Sequence, residues 1–126
     1  MEQLLAHLIG DYVLQTDTQA QNKAKSKFYA GVHAFTYTLP FLFITQSIYA
    51  LLVISCTHFL IDHYRLAKYL IIVKNLLDNP KEVFAGLYNT TTGYKENAPI
   101  WLSTWLFIIA DNTMHLAINY ASIRWL

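Results

Sequence analysis

Cysteine occurs once in this chain, as Cys56. An intrachain disulfide is therefore excluded, and so is a thiolate metal cluster. Cys56 sits in an apolar stretch, where the expected role is that of a small buried hydrophobe. Charge is also scarce: 13% of the residues are charged, about half the soluble average. The net charge of +1 gives no general nucleic-acid signal, and no basic run is long enough to track a phosphate backbone. Nucleic acid is thus not an expected partner. A nucleophile elbow, a P-loop and a dinucleotide fingerprint are all missing. The N-terminus lacks a basic n-region and a small-residue cleavage site, so no cleavable signal peptide is expected.

What the chain has instead is apolar residues, 55% of its 126, with a positive mean hydropathy. This composition predicts a single all-α domain over residues 1–126, an integral membrane bundle of four membrane-embedded helices. The first segment is Leu4 to about Gln15, about 18 Å as a helix and shorter than a hydrocarbon core of about 30 Å. The polar stretch Thr16–Lys27 follows. The second segment runs from about Phe28 to Thr45, with a kink expected at Pro40. The third runs from about Ser47 to His63, and the short Thr45-Gln46-Ser47 link makes the two a tight hairpin. Arg65–Asp78 punctuates an apolar run with Arg65, Lys68 and Lys74, which suits an amphipathic interfacial helix. Asn79-Pro80 stops it, and Lys81–Pro99 reads as a loop with one short helix. The fourth segment spans about Pro99 to Tyr120, with Trp101, Trp105 and Trp125 placed as interfacial anchors.

Eight of the nine Lys and Arg fall in the two loops on one side. The positive-inside rule then places the chain in a bacterial inner membrane, with both termini outside and the basic loops cytoplasmic. The bilayer is the expected partner, together with a lipid or small anionic substrate.

Within the apolar segments stand three His/Asp pairs four residues apart: His7 with Asp11, His58 with Asp62, and Asp111 with His115. On a helix such pairs project two ligand groups from one face. Three pairs from five histidines arise by chance at a rate on the order of half a percent. The bland reading is polar glue between helices. With His33, however, the pairs supply seven groups, more than one tetrahedral ion needs. They suit a two-metal site, or one metal with a separate acid–base pair. Mixed imidazole and carboxylate donors select Zn, Mn or Fe over Ca. His7, Asp11, His33, His58, Asp62, Asp111 and His115 are the expected metal ligands, and His33, Asp62 and Asp111 the expected catalytic groups. The Asp111–His115 pair is the least secure member, because helical rise sets it deeper than the others.

Weaker signals surround the pairs. Gln15 continues the His7–Asp11 face and binds substrate, caps the cluster, or is merely a helix-end polar residue. Tyr37, one turn after His33, is a hydrogen-bonding candidate. His63 points elsewhere and reads as interfacial. Asn112 faces a different direction from Asp111. Lys23, Lys25, Lys27 and Arg65 read first as topology and phospholipid contacts, and second as a lure for an anion.

The ordered motifs His7-Leu-Ile-Gly-Asp-Tyr-Val-Leu-Gln15, His33 with Tyr37, His58-Phe-Leu-Ile-Asp62 and Asp111-Asn-Thr-Met-His115 carry a resemblance. The chain resembles a family of small bacterial and phage membrane proteins, the domain of unknown function number 3307. Here Asn112 stands where the family's last motif has Gln. The resemblance implies a compact helical membrane protein with the same His/Asp cluster, and no established activity. A loose similarity to membrane metal-dependent hydrolases is analogy alone.

The leading expectation is a metal-dependent hydrolase open to the cytoplasm, acting on a phosphoester or amide. The alternative is a non-enzymatic phage or bacterial membrane factor, with the pairs as internal glue. A metal or proton conduit ranks third, because polar groups toward the outer face are few.

Overall fold

Glu2 opens the first helix, where its carboxylate favours the positive helix end. In the computed structural model, which describes residues 1–126, this helix is α1 (Glu2–Leu8). It runs into a π-helical turn over Ile9–Val13, where the Leu14 N–H reaches back five residues to the Ile9 carbonyl at 2.9 Å. Thr16 and Gln19 form a reciprocal capping box that starts α2 (Asp17–Asn22). Next comes α3 (Lys27–Thr38), which tightens into a 3₁₀ turn over Leu39–Phe43 with Pro40 in its first turn. Proline has no N–H to continue the α pattern, so the break expected at Pro40 takes this form. Then follows α4 (Ile48–Tyr64), its start held by Ser47 Oγ, which accepts from the Ala50 N–H at 3.3 Å.

Arg65 ends α4 with a φ of 52°, a left-handed conformation that no helix continues. The remaining helices are α5 (Ala67–Asp78), α6 (Pro80–Phe84) and α7 (Ile100–Trp125). Pro80 at the first position of α6 starts that helix with a preset φ. The expected short helix in the loop is therefore present.

The chain forms two compact units, Met1–Tyr64 with His115–Leu126, and Arg65–Met114. In the first, Ala6, Tyr37, Phe41, Leu51 and Ile54 form an apolar core, with Ile44 and Ile123 packed against it. The end of α7 is tied in by Ser47 Oγ, which donates to the Leu126 carbonyl at 2.9 Å. In the second unit, Ala67 and Ile71 of α5 are buried. The loop packs on them through Gly93, whose φ is 77° and whose carbonyl accepts from Asn75 Nδ2 at 2.9 Å. A Cβ on Gly93 would stand 2.7 Å from the Lys68 carbonyl oxygen, so both backbone angle and space require glycine.

All-α architecture is observed, but the membrane bundle is not. No helix is long and apolar enough to cross a membrane. Helix α4 has 17 residues, about 26 Å at 1.5 Å per residue, short of a core of about 30 Å. The expected second segment divides into a 12-residue α3 and the 3₁₀ turn. Helix α7 is long enough at 26 residues, but Asp111, Asn112, Thr113, His115, Asn119 and Ser122 interrupt its apolar run. The expectations of four membrane-embedded helices and of an interfacial α5 are therefore corrected. So is the inner-membrane location with outside termini and cytoplasmic loops. Cys56 is also corrected: it is exposed rather than buried.

Candidate metal centre

Asp11 is carried on the π turn, His33 on α3, and His58 with Asp62 on successive turns of α4. A π turn widens the helix by one residue, a device common at functional sites. Here Gly10 lets that turn lie against α3. A Cβ at Gly10 would stand 2.6 Å from Tyr37 Cδ2 and 2.9 Å from the Tyr37 carbonyl oxygen. This close approach brings Asp11 to His33.

The four side chains converge on one point, and their donor atoms all lie within 4.8 Å of one another. His33 Nε2 is 3.0 Å from His58 Nε2, 3.1 Å from Asp11 Oδ1 and 3.2 Å from Asp62 Oδ2. His58 Nε2 is 3.5 Å from Asp11 Oδ1 and 3.3 Å from Asp62 Oδ2. A tetrahedral ion with bonds of about 2.0–2.2 Å sets its donors about 3.3–3.6 Å apart. The observed separations are at or slightly inside that edge length. All four residues are buried, none more than 8% exposed.

Hydrogen bonding alone does not account for His33. Its Nε2 also lies 2.8 Å from Gln15 Nε2. That single nitrogen thus faces four polar atoms, while it carries one proton or one lone pair. Its Nδ1 is buried with no hydrogen-bond partner. A cation at the convergence point accounts for nitrogen and oxygen lone pairs gathered this closely. The donor set of two imidazoles and two carboxylates therefore fits a metal ion.

A second layer orients the donors. His58 Nδ1 is 3.2 Å from His115 Nδ1, and His115 Nε2 is 3.3 Å from Asp62 Oδ1. The proton assignment that serves both contacts is a chain. His58 Nδ1–H donates to His115 Nδ1, and His115 Nε2–H donates to Asp62. The Nε2 of His58 then presents a lone pair to the centre, the arrangement metal-binding imidazoles use. Tyr37 stacks on the His58 ring at 3.5 Å between centroids. Its hydroxyl accepts from Asn119 Nδ2 at 2.6 Å and is hydrogen-bonded with His7 Nδ1 at 2.8 Å. His7 Nδ1 lies 3.5 Å from Asp11 Oδ2.

Charge balance follows from burial and partners. Burial raises the Asp62 carboxyl, but hydrogen bonds from His115, His33 and His58 outweigh it and hold the pKa well below its usual value. Asp11 is likewise lowered, because His33 and His58 outweigh its burial. Burial pulls His33 down, but its bonds to Asp11 and Asp62 prevail and raise it. For His58 burial wins, and its pKa is lowered toward a neutral ring.

Of the seven expected ligands, four meet at the centre: Asp11, His33, His58 and Asp62. His7 stands behind Asp11, and His115 behind His58 and Asp62. Asp111 lies one turn before His115 on α7, half-buried, in the Arg65–Met114 unit. Tyr37 bonds into the cluster as expected, and Gln15 contacts His33. Sequence reasoning missed the structural role of Lys23, whose Nζ lies 2.7 Å from Asp62 Oδ2. It also missed His63, whose Nδ1–H donates to the Lys23 carbonyl at 3.0 Å, and Asn119. Neither lysine contact carries a local signal, since both depend on the C-terminal end of α2 meeting the last turns of α4.

Residues 1–122 match the family described as "Protein of unknown function (DUF3307)". The chain belongs to that family. No curated protein and no solved structure matches it. That description names no reaction and no source, so it lends no support to the expectations of a hydrolase or of a phage protein. The DUF3307 match supports the resemblance that the His/Asp motifs carry.

Proposed function

We propose that this DUF3307 protein is a metal-binding protein whose first unit holds one divalent transition-metal ion, Zn, Mn or Fe. Asp11, His33, His58 and Asp62 are its ligands. The observation that carries the reading is the crowding at His33 Nε2, within 3.2 Å of three other atoms that could ligate a metal. Two carboxylates and two neutral imidazoles neutralise a divalent charge, which suits burial. When bound, such an ion supplies Lewis-acid chemistry toward a coordinated water or oxyanion. Asp11 and Asp62 hold it by charge, His33 and His58 by directed lone pairs. His115, His7 and Tyr37 fix the orientation of those groups.

Elemental analysis after purification without chelator tests the reading. About one transition-metal ion per chain is expected, lost in His33→Ala and His58→Ala. A folded wild-type chain that takes up no Zn, Mn, Fe or Co overturns it.

A second reading is that the cluster is a structural polar network. The unbroken Asn119–Tyr37–His7 and His58–His115–Asp62 contacts favour it. It predicts a metal-free protein in which each substitution lowers stability alone.

A further inference from the structure

Lys23 is the one ammonium group recorded against the donor cluster. Its Nζ is 2.7 Å from Asp62 Oδ2. That oxygen is also the one that faces His33 Nε2 at 3.2 Å and His58 Nε2 at 3.3 Å. The ammonium therefore pairs with the same oxygen that a metal would take, an oxygen with no hydrogen-bond partner of its own. Its neighbourhood is built. The capping box of Thr16 and Gln19 starts α2, and the Lys23 N–H closes that helix on the Gln19 carbonyl at 2.8 Å. His63, next to Asp62 on α4, holds the Lys23 carbonyl. The backbone is thus anchored on both sides, while the side chain is 23% exposed and has room to leave toward solvent. Asp62, by contrast, is 3% exposed and fixed from three directions.

From this geometry we infer that Lys23 is an internal counter-ion which an entering metal displaces from Asp62. The inference rests on the metal-binding reading above. In the metal-free protein the ammonium, beside His33, offsets the charge of two buried carboxylates that would otherwise repel each other. Metal entry breaks the Lys23–Asp62 contact and frees the ammonium at the rim. Lys23 is thus a positioning residue that sets metal affinity, because each binding event must first break a partly buried ion pair. A longer-range consequence is selectivity. Ions that bind carboxylate and imidazole strongly overcome this competition, and weakly bound hard cations such as Mg do not.

The test titrates Co(II) and Zn(II) into wild-type, Lys23→Met and Lys23→Arg proteins, with affinity from a competing chelator and coordination from the Co(II) visible spectrum. Removing the competing charge is expected to tighten binding about tenfold in Lys23→Met, the equivalent of ~1.4 kcal/mol, with an unchanged spectrum. Lys23→Arg keeps a competing charge and stays near wild type. Equal or weaker binding by a folded Lys23→Met, beside normal binding by wild type, overturns the displacement and leaves the metal site standing. No binding by wild type overturns both. A second measurement needs no variant: amine-reactive labelling of Lys23, read by mass spectrometry, rises on Zn(II) loading. Labelling that is unchanged or falls contradicts displacement even where Lys23→Met does not fold.

Discussion

His58 Nδ1 and His115 Nδ1 lie 3.2 Å apart, and that contact fixes which nitrogen of His58 faces the metal-binding centre. One ring must give the proton and the other accept it. Because His115 Nε2 already donates to Asp62, His58 gives. A residue distant in sequence therefore sets the tautomer of a ligand it does not replace. His115→Ala should weaken metal binding by about 10–100-fold, the usual effect of losing an orienting partner. His115→Gln should recover part of it. Chelator competition on the purified variants measures both, and unchanged affinity in His115→Ala would show that the contact orients nothing.

Of the two glycines in the first unit, Gly10 is the one packed against a neighbouring backbone. Its missing Cβ leaves room for the Tyr37 carbonyl, which would otherwise stand at 2.9 Å. Because the obstacle is backbone as well as ring, it does not yield by a rotamer change. Gly10→Ala should destabilise the protein by about 1–3 kcal/mol, as overpacking does, and weaken metal binding by moving Asp11. Gly31, which has open space around its Cβ position, is the control, and Gly31→Ala should change chemical-denaturation midpoints little.

Tyr37 links Asn119 to His7 through one hydroxyl. Tyr37→Phe preserves the stacked ring and removes both of those bonds. A cost of about 1–3 kcal/mol is expected for leaving buried polar atoms without that partner. A loss below about 0.5 kcal/mol would mean the relay is dispensable.

Acid should unfold the metal-free protein through its carboxylates. The folded pKa of Asp62 lies well below the ordinary 3.8. A group depressed in this way contributes stability that is fully present above its unfolded pKa and is lost as pH falls through the folded value. Denaturation midpoints should therefore drop as pH falls from about 5 to about 2.5, and the drop should be shallower in Asp62→Asn. Parallel curves for the two proteins would refute the charge balance described above.

Much of the site was legible because four-residue spacing survives folding. His58 and Asp62 meet the same point from one face of α4, as the spacing predicts. The first pair was legible in identity but not in mechanism: the π turn between His7 and Asp11 depends on the close fit of Gly10 against α3. Of the third pair, His115 contacts both His58 and Asp62. Lys23 was misread as a topology marker because its contact with Asp62 depends on the C-terminal end of α2 meeting the last turns of α4. Membrane crossing was misread for a different reason. Apolar composition was legible, and α4 follows the expected third segment, but the 3₁₀ turn at Pro40 divides the expected second one.

X-ray absorption at the zinc edge of Zn(II)-loaded protein tests the central claim most directly. The account predicts four light donors at about 2.0–2.2 Å, with scattering from two imidazole rings and no sulfur. A six-coordinate shell without imidazole scattering, or a shell containing the sulfur of exposed Cys56, would contradict it.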